Sequence, residues 1–303
     1  MKNFSKNLKA FSLVEISIVI LIIGILIAGI SSGADLFNDY KLATARKLTM
    51  ESPVPRIADL GLWLESVSEK SLINNNDSII IKNGDLVKKW LDINPLNTSK
   101  PFLVQDTQSA MPTYVSDGIN NLPSVKFDST NTQMKMNGSF SEIFSLESTI
   151  FMVLNPDSVV ATSDRPVSVI FSFGSLVHPA LIIESFYDQF NTNVTYLYKD
   201  GFQREFIYTS AKSNRTQIYK RVYNPLINQS YVDINGVQAS SKDDVTSGNY
   251  VRPVSMTLGN HPLEVFRTFG GLVGEFIIYN RALTNVEIKR VENYLKAKWG
   301  VKY

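Results

Sequence analysis

The chain has 303 residues and no cysteine. Disulfides, thiol nucleophiles and thiolate zinc sites are therefore excluded. Histidine is nearly absent too. His178 and His261 are the only two, they lie far apart, and a proline follows each. No His-x-x-His or His-Glu-x-x-His spacing exists, so a zinc hydrolase lacks its ligands. Glycine motifs of the P-loop and dinucleotide kinds are missing as well. No segment carries a pair of acids in the Glu-x-Asp-x-x-Glu style of β-sandwich glycosidases, which need two carboxylates flanking one sugar bond. Glu184, Glu205, Glu264 and Glu275 each stand alone on their segments. From this the chain is expected not to be an enzyme.

Two further absences lie at the N-terminus. No acid occurs before Glu15 and no proline before Pro53. Lys2, Lys6 and Lys9 give the first ten residues a basic character, and residues 16–30 then run without a charge. Counted from Phe11, the apolar stretch is long enough at about 1.5 Å per residue to match a hydrocarbon core of roughly 30 Å. A carboxylate at Glu15 within it is costly and asks for a function. An ordinary secretory signal has its small-residue cleavage site after the apolar run. Here Ala10 precedes it. The helix is expected to continue to about residue 52, with Pro53 and Pro55 as its stop.

The segment Lys9-Ala10-Phe11-Ser12-Leu13-Val14-Glu15 resembles the prepilin-type cleavage and methylation segment of type IV pilins and type II secretion pseudopilins. The resemblance implies cleavage between Ala10 and Phe11 by a prepilin peptidase, methylation of the Phe11 amine, and a role for Glu15 in assembly with other subunits. It also implies a bacterial inner-membrane protein with one span over about 11–33, its N-terminus cytoplasmic and its bulk periplasmic or extracellular. Removal of residues 1–10 takes three cations and no acid, leaving 27 Lys+Arg against 28 Asp+Glu of the original 30 and 28. The mild basicity of the whole chain thus gives no reason to expect nucleic acid.

From residue 56 onward the texture changes. Short apolar-rich runs alternate with Asn, Asp, Gly, Ser and Pro clusters, the pattern of an all-β domain. Strands are predicted over 78–82, 124–127, 149–154, 167–173, 180–186, 194–198, 205–208, 217–223, 229–234, 255–258 and 272–279. Asn235-Gly236 is a strong hairpin signal. Thr284-Asn-Val-Glu287 is a capping box that opens a last helix, with Ile288, Val291, Leu295 and Trp299 on one face and Gly300 as its stop. The fold class is α+β: a long N-terminal transmembrane helix, then an all-β jelly-roll sandwich with a short C-terminal helix. The domains are a leader at 1–10, a helix at 11–52 and a sandwich at 56–303.

The closing block Gly271-Leu-Val-Gly-Glu-Phe-Ile-Ile-Tyr-Asn-Arg-Ala-Leu-Thr284, with Glu292-Asn-Tyr-Leu295 and Lys298-Trp-Gly300, resembles the end of LamG-like (concanavalin A-like lectin/glucanase) domains. Leu62-Trp63-Leu64 and Val87-x-x-Trp90-x-Asp92 fit the opening of such domains. The resemblance implies a jelly roll that binds a glycan or a secreted protein through its rim. Phe186, Tyr187 and Phe190 form the aromatic cluster expected to serve recognition. No cofactor is expected, and Asp243 and Asp244 are weak calcium candidates. The combined reading is a filament subunit that displays a binding domain; its alternative is a lectin-like adhesin or a glycan-active enzyme.

Overall fold

The computed structural model describes residues 13–138, 140, 144–145, 147–157, 167–174, 183–188, 192–199, 203–210, 214–227, 229–238, 255–260 and 268–303. The chain divides into two compact units, residues 1–44 and 45–303.

Helix α1 (Leu13–Met50) begins in the first unit and ends in the second. The lack of proline before Pro53 lets it run unbroken, and Pro53 closes it as expected. Ser31 lies in the string Gly29-Ile-Ser-Ser-Gly33, which spells Gly-x-Ser-x-Gly, but the backbone there is continuous helix. A nucleophile elbow needs a strand-to-helix turn. The expected membrane span is corrected: among the described residues, no helix is long and apolar enough to cross a membrane. Glu15, exposed on α1, interrupts its apolar run. The single-pass inner-membrane location falls with the span.

The second unit is a β-sandwich. Its strands are β1 (Leu60–Glu65), β2 (Leu72–Asn74), β3 (Val87–Leu91), β4 (Phe102–Val104), β5 (Thr113–Val115), β6 (Ser124–Phe127), β7 (Met134–Asn137), β8 (Ser148–Pro156), β9 (Val167–Gly174), β10 (Ile183–Asp188), β11 (Thr192–Lys199), β12 (Gln203–Ser210), β13 (Gln217–Asn224), β14 (Gln229–Ile234), β15 (Val237–Gln238), β16 (Ser255–Leu258) and β17 (Gly271–Tyr279). One sheet runs β15-β14-β13-β8-β17-β6-β5, with β1 also paired to β17. The other runs β12-β11-β10-β9-β16-β7-β4-β3-β2. The core lies between them, built from Trp90, Phe171, Phe173 and Met256 on one side and Ile150, Met152, Phe276 and Ile278 on the other. Period-2 alternation along each strand places these residues inward. Asn235 and Gly236 take positive φ of 53° and 77° in the β14–β15 hairpin, the geometry that Asn-Gly favours.

The strand predicted over 78–82 does not form. The Asn74 carboxamide oxygen accepts the backbone N–H groups of Asn76 and Ser78, and Asp85 accepts that of Lys82. These local bonds hold the segment as a loop instead of a ladder.

Helix α2 (Asn285–Trp299) covers the outer face of the first sheet. Thr284 and Glu287 form the capping box and Gly300 stops the helix at φ 67°. Ile288, Val291, Leu295 and Trp299 are buried, as their spacing predicts, and so are Glu292, Tyr294 and Lys298.

Candidate functional site

The outer face of the first sheet holds a sealed polar centre. In β17 a register irregularity between Val273 and Glu275 breaks the alternation at Gly274. Val273, Phe276 and Ile278 join the core, so Glu275 is turned to the opposite face. In β1, Leu62 and Leu64 join the core, and Trp63 and Glu65 face outward with it. The β1–β17 register then sets Glu65 directly opposite Glu275. Both carboxylates and Lys298 of α2 have side chains at 0% exposure.

Each oxygen of this centre is occupied. Lys298 Nζ pairs with Glu65 Oε1, and with Glu275 Oε2 at 3.0 Å. It also reaches Thr49 Oγ1 at 2.7 Å and the Tyr294 hydroxyl at 3.1 Å. Glu275 accepts from Trp63 Nε1 at 2.7 Å, Trp299 Nε1 at 2.8 Å and Tyr294 OH at 2.8 Å. Glu65 accepts the backbone N–H of Val67 at 2.9 Å and of Ser68 at 2.6 Å. Burial, then the charges of Glu275 and Glu65, pushes the Tyr294 phenol well above its ordinary range. The phenol therefore stays protonated and donates. In the sequence Glu275 stands alone, because a partner on a strand more than two hundred residues away leaves no local pattern.

The turn that Glu65 pins leads to an open cleft. After β1 the chain passes through residues 66–71, and with the 79–81 loop and Tyr114 of β5 it encloses about 290 Å³. Arg46 forms one wall. Its Nε donates to the Val67 carbonyl at 3.1 Å and its NH1 to Glu69 at 2.8 Å. Lys70 adds a second cation, and Ile79 and Ile80, exposed at 50% and 72%, form an apolar lip. Burial raises the Tyr114 phenol above its ordinary value, against the opposing effect of Arg46.

The residues singled out from sequence lie elsewhere. Ala10, Phe11, Phe190, Asp243 and Asp244 lie outside the described residues. Glu15 is exposed on α1. Phe186 and Tyr187 belong to strand β10 and not to a loop, and their side chains lie outside the description. Among the described residues no group of three or more His, Asp or Glu side chains is placed to hold a metal ion.

No family model matches the chain, and no curated protein matches it. Pilin-type membership is therefore unsupported. Solved structures do resemble it. Trypanosoma rangeli sialidase is 13% identical, over 80% of this chain and 33% of that one, with a TM-score of 0.52. The same sialidase in complex with sialic acid is 14% identical over the same shares, also at 0.52. Domain 4 of AbnA, an arabinanase from Geobacillus stearothermophilus in complex with arabinotriose, is 14% identical over 77% of this chain and 97% of that one, at 0.45. This chain thus spans about a third of the sialidase. Likeness at such identities shows the fold alone. It is a β-sandwich compatible with a lectin-like jelly roll. The expectation of a non-enzyme is corrected to this extent: a sialidase shares the fold at a TM-score of 0.52, so the fold gives no ground for excluding an enzyme.

Proposed function

We propose that residues 45–303 form a lectin-like module that recognises a glycan in the cleft beside Arg46 and Tyr114. The observation that carries this reading is the likeness, at a TM-score of 0.52 over 80% of the chain, to a sialidase structure holding sialic acid. The chemistry of the cleft supports it. A sugar offers an apolar face and a rim of hydroxyls, and it is held by aromatic or aliphatic contact plus a few placed polar groups. Tyr114, Ile79 and Ile80 supply the first; Ser66, Ser68, Glu69 and the cations supply the second. Arg46 and Lys70 outnumber Glu69, which favours a sugar bearing a carboxylate. A glycan array on the full chain, with and without calcium, tests this. Binding to acidic glycans that Tyr114→Ala weakens is the expected result. Failure to bind any glycan, or binding that Tyr114→Ala leaves intact, overturns it.

A second reading concerns α1. Within the first unit, large apolar side chains from Leu13 to Ile27 are exposed by 48–85%. A helix that is apolar all round is ordinarily buried. We propose that it packs against the same helix of other copies of this chain, with Glu15 setting their register. Sedimentation of the full chain tests this. The expected result is an oligomer that Ile16→Gln with Ile20→Gln dissociates, and a monomer of the unsubstituted chain overturns it.

A further inference from the structure

The sealed centre has the arrangement of a bond-forming site, independently of any glycan. Lys298 Nζ lies against Glu65 Oε1 and 3.0 Å from Glu275 Oε2, and all three side chains are at 0% exposure. The backbone N–H groups of Val67 and Ser68 point at the Glu65 oxygens at 2.9 and 2.6 Å. Two converging N–H groups on one carboxyl are the donors that stabilise oxygen charge during acyl transfer. Trp63 and Tyr294 hold Oε1 of Glu275, while Oε2 accepts from Trp299 and also faces the amine. Nucleophile, electrophile and proton acceptor are thus fixed in a site that excludes water.

We propose that Lys298 and Glu65 condense into an intramolecular isopeptide bond, with Glu275 as the proton shuttle. Glu275 takes one proton from the Lys298 ammonium. The freed nitrogen lone pair attacks Glu65 Cδ, forming the C–N bond, and charge moves onto the oxygens facing Val67 and Ser68. A second proton leaves the nitrogen through Glu275. Both protons pass to the departing Oε1, the C–O bond breaks and one water is released. Oε2 remains as the amide carbonyl and the third proton stays on nitrogen. Ammonium plus carboxylate gives amide plus water, and no oxidant or reductant takes part. The bond would tie β1 to α2 across almost the whole sandwich, in a chain that has no cysteine for a disulfide.

Mass spectrometry of a protease digest of the purified full chain decides this. The expected product is one branched peptide joining the segments of Glu65 and Lys298, lighter by one water than its two parts. Recovery of both as separate peptides of full mass overturns the proposal, as does a water loss located on any other residue. Glu275→Gln keeps the shape of the site but removes the shuttle, and it is expected to give the unlinked peptides. Linkage as complete as in the unsubstituted chain overturns the role of Glu275. Should that variant not fold, the digest of the unsubstituted chain still decides whether the bond exists.

Discussion

Glu65 and Glu275 face each other as paired residues of adjacent antiparallel strands, both without solvent exposure, and Lys298 lies across the pair. Like charges opposite each other on a sheet are destabilising unless something intervenes. Here α2 supplies the ammonium, and two indoles and a phenol supply the remaining donors. The helix is thus joined to the sheet by polar chemistry as well as by the apolar stripe of Ile288, Val291 and Leu295. The same centre reaches the last turn of α1 through Thr49 and pins the turn beside the cleft through Val67 and Ser68.

Lys298→Met leaves two buried carboxylates without their cation. Removal of one partner of a buried pair typically costs about 3–5 kcal/mol. The denaturant midpoint at neutral pH is expected to fall accordingly. An unchanged midpoint would mean that the centre contributes nothing to stability.

Gly274→Ala tests the bulge. A Cβ there would stand 2.5 Å from the Trp299 ring and 2.7–2.8 Å from its neighbouring ring atoms. The indole is fully buried. Its bond to Glu275 is expected to break, at a cost of about 1–3 kcal/mol or more. Thermal unfolding and tryptophan fluorescence would register the loss and the displaced ring.

Asp92 gives a signed pH dependence. Burial raises its carboxyl from 3.8 to about 6, against hydrogen bonds from the Asn94 and Trp63 amides, the charge of Lys100 and a bond from Asn97. The folded state therefore binds the proton more tightly than the unfolded state. Its ionisation costs stability above about pH 6, by at most about 3 kcal/mol, and the cost disappears as pH falls toward 4. Glu287 acts in the opposite sense. Its bond to Arg281 lowers its carboxyl from 4.5 to about 2, so its contribution is present above pH 4.5 and is lost on acidification toward 2. Stability is thus expected to rise from pH 6 to about 4.5 and to decline below that. In Asp92→Asn the first limb should vanish while the second remains.

Tyr114→Ala removes the ring beneath the cleft. Loss of one such contact is worth about 1 kcal/mol or more, so affinity for an acidic sugar is expected to fall roughly five- to tenfold. Calorimetric titration would measure it, and Phe at the same position should restore most of the loss.

Much of the sandwich is legible in the sequence because its signals are local. Alternation along 217–223, 229–234 and 272–279, the Asn235-Gly236 turn and the Thr284–Glu287 capping box each need only a few neighbouring residues. The short strands β2, β4, β5 and β7 have three or four residues each. They carry too little periodicity to be seen, and sheet pairing alone makes them strands. In the 78–82 segment the opposite holds: an apolar pattern yields to the side-chain bonds of Asn74.

By itself, then, the sequence determined a cysteine-free β-sandwich closed by a capped helix, and an N-terminal helix unbroken by proline. Only the tertiary structure decided that Glu65, Glu275 and Lys298 meet. Two facts bring them together. A single extra residue at Gly274 inverts the facing of Glu275, and a strand register joins residues more than two hundred positions apart. Neither leaves a mark in the neighbouring sequence, because parity within a strand and pairing between strands are settled by packing over the whole domain.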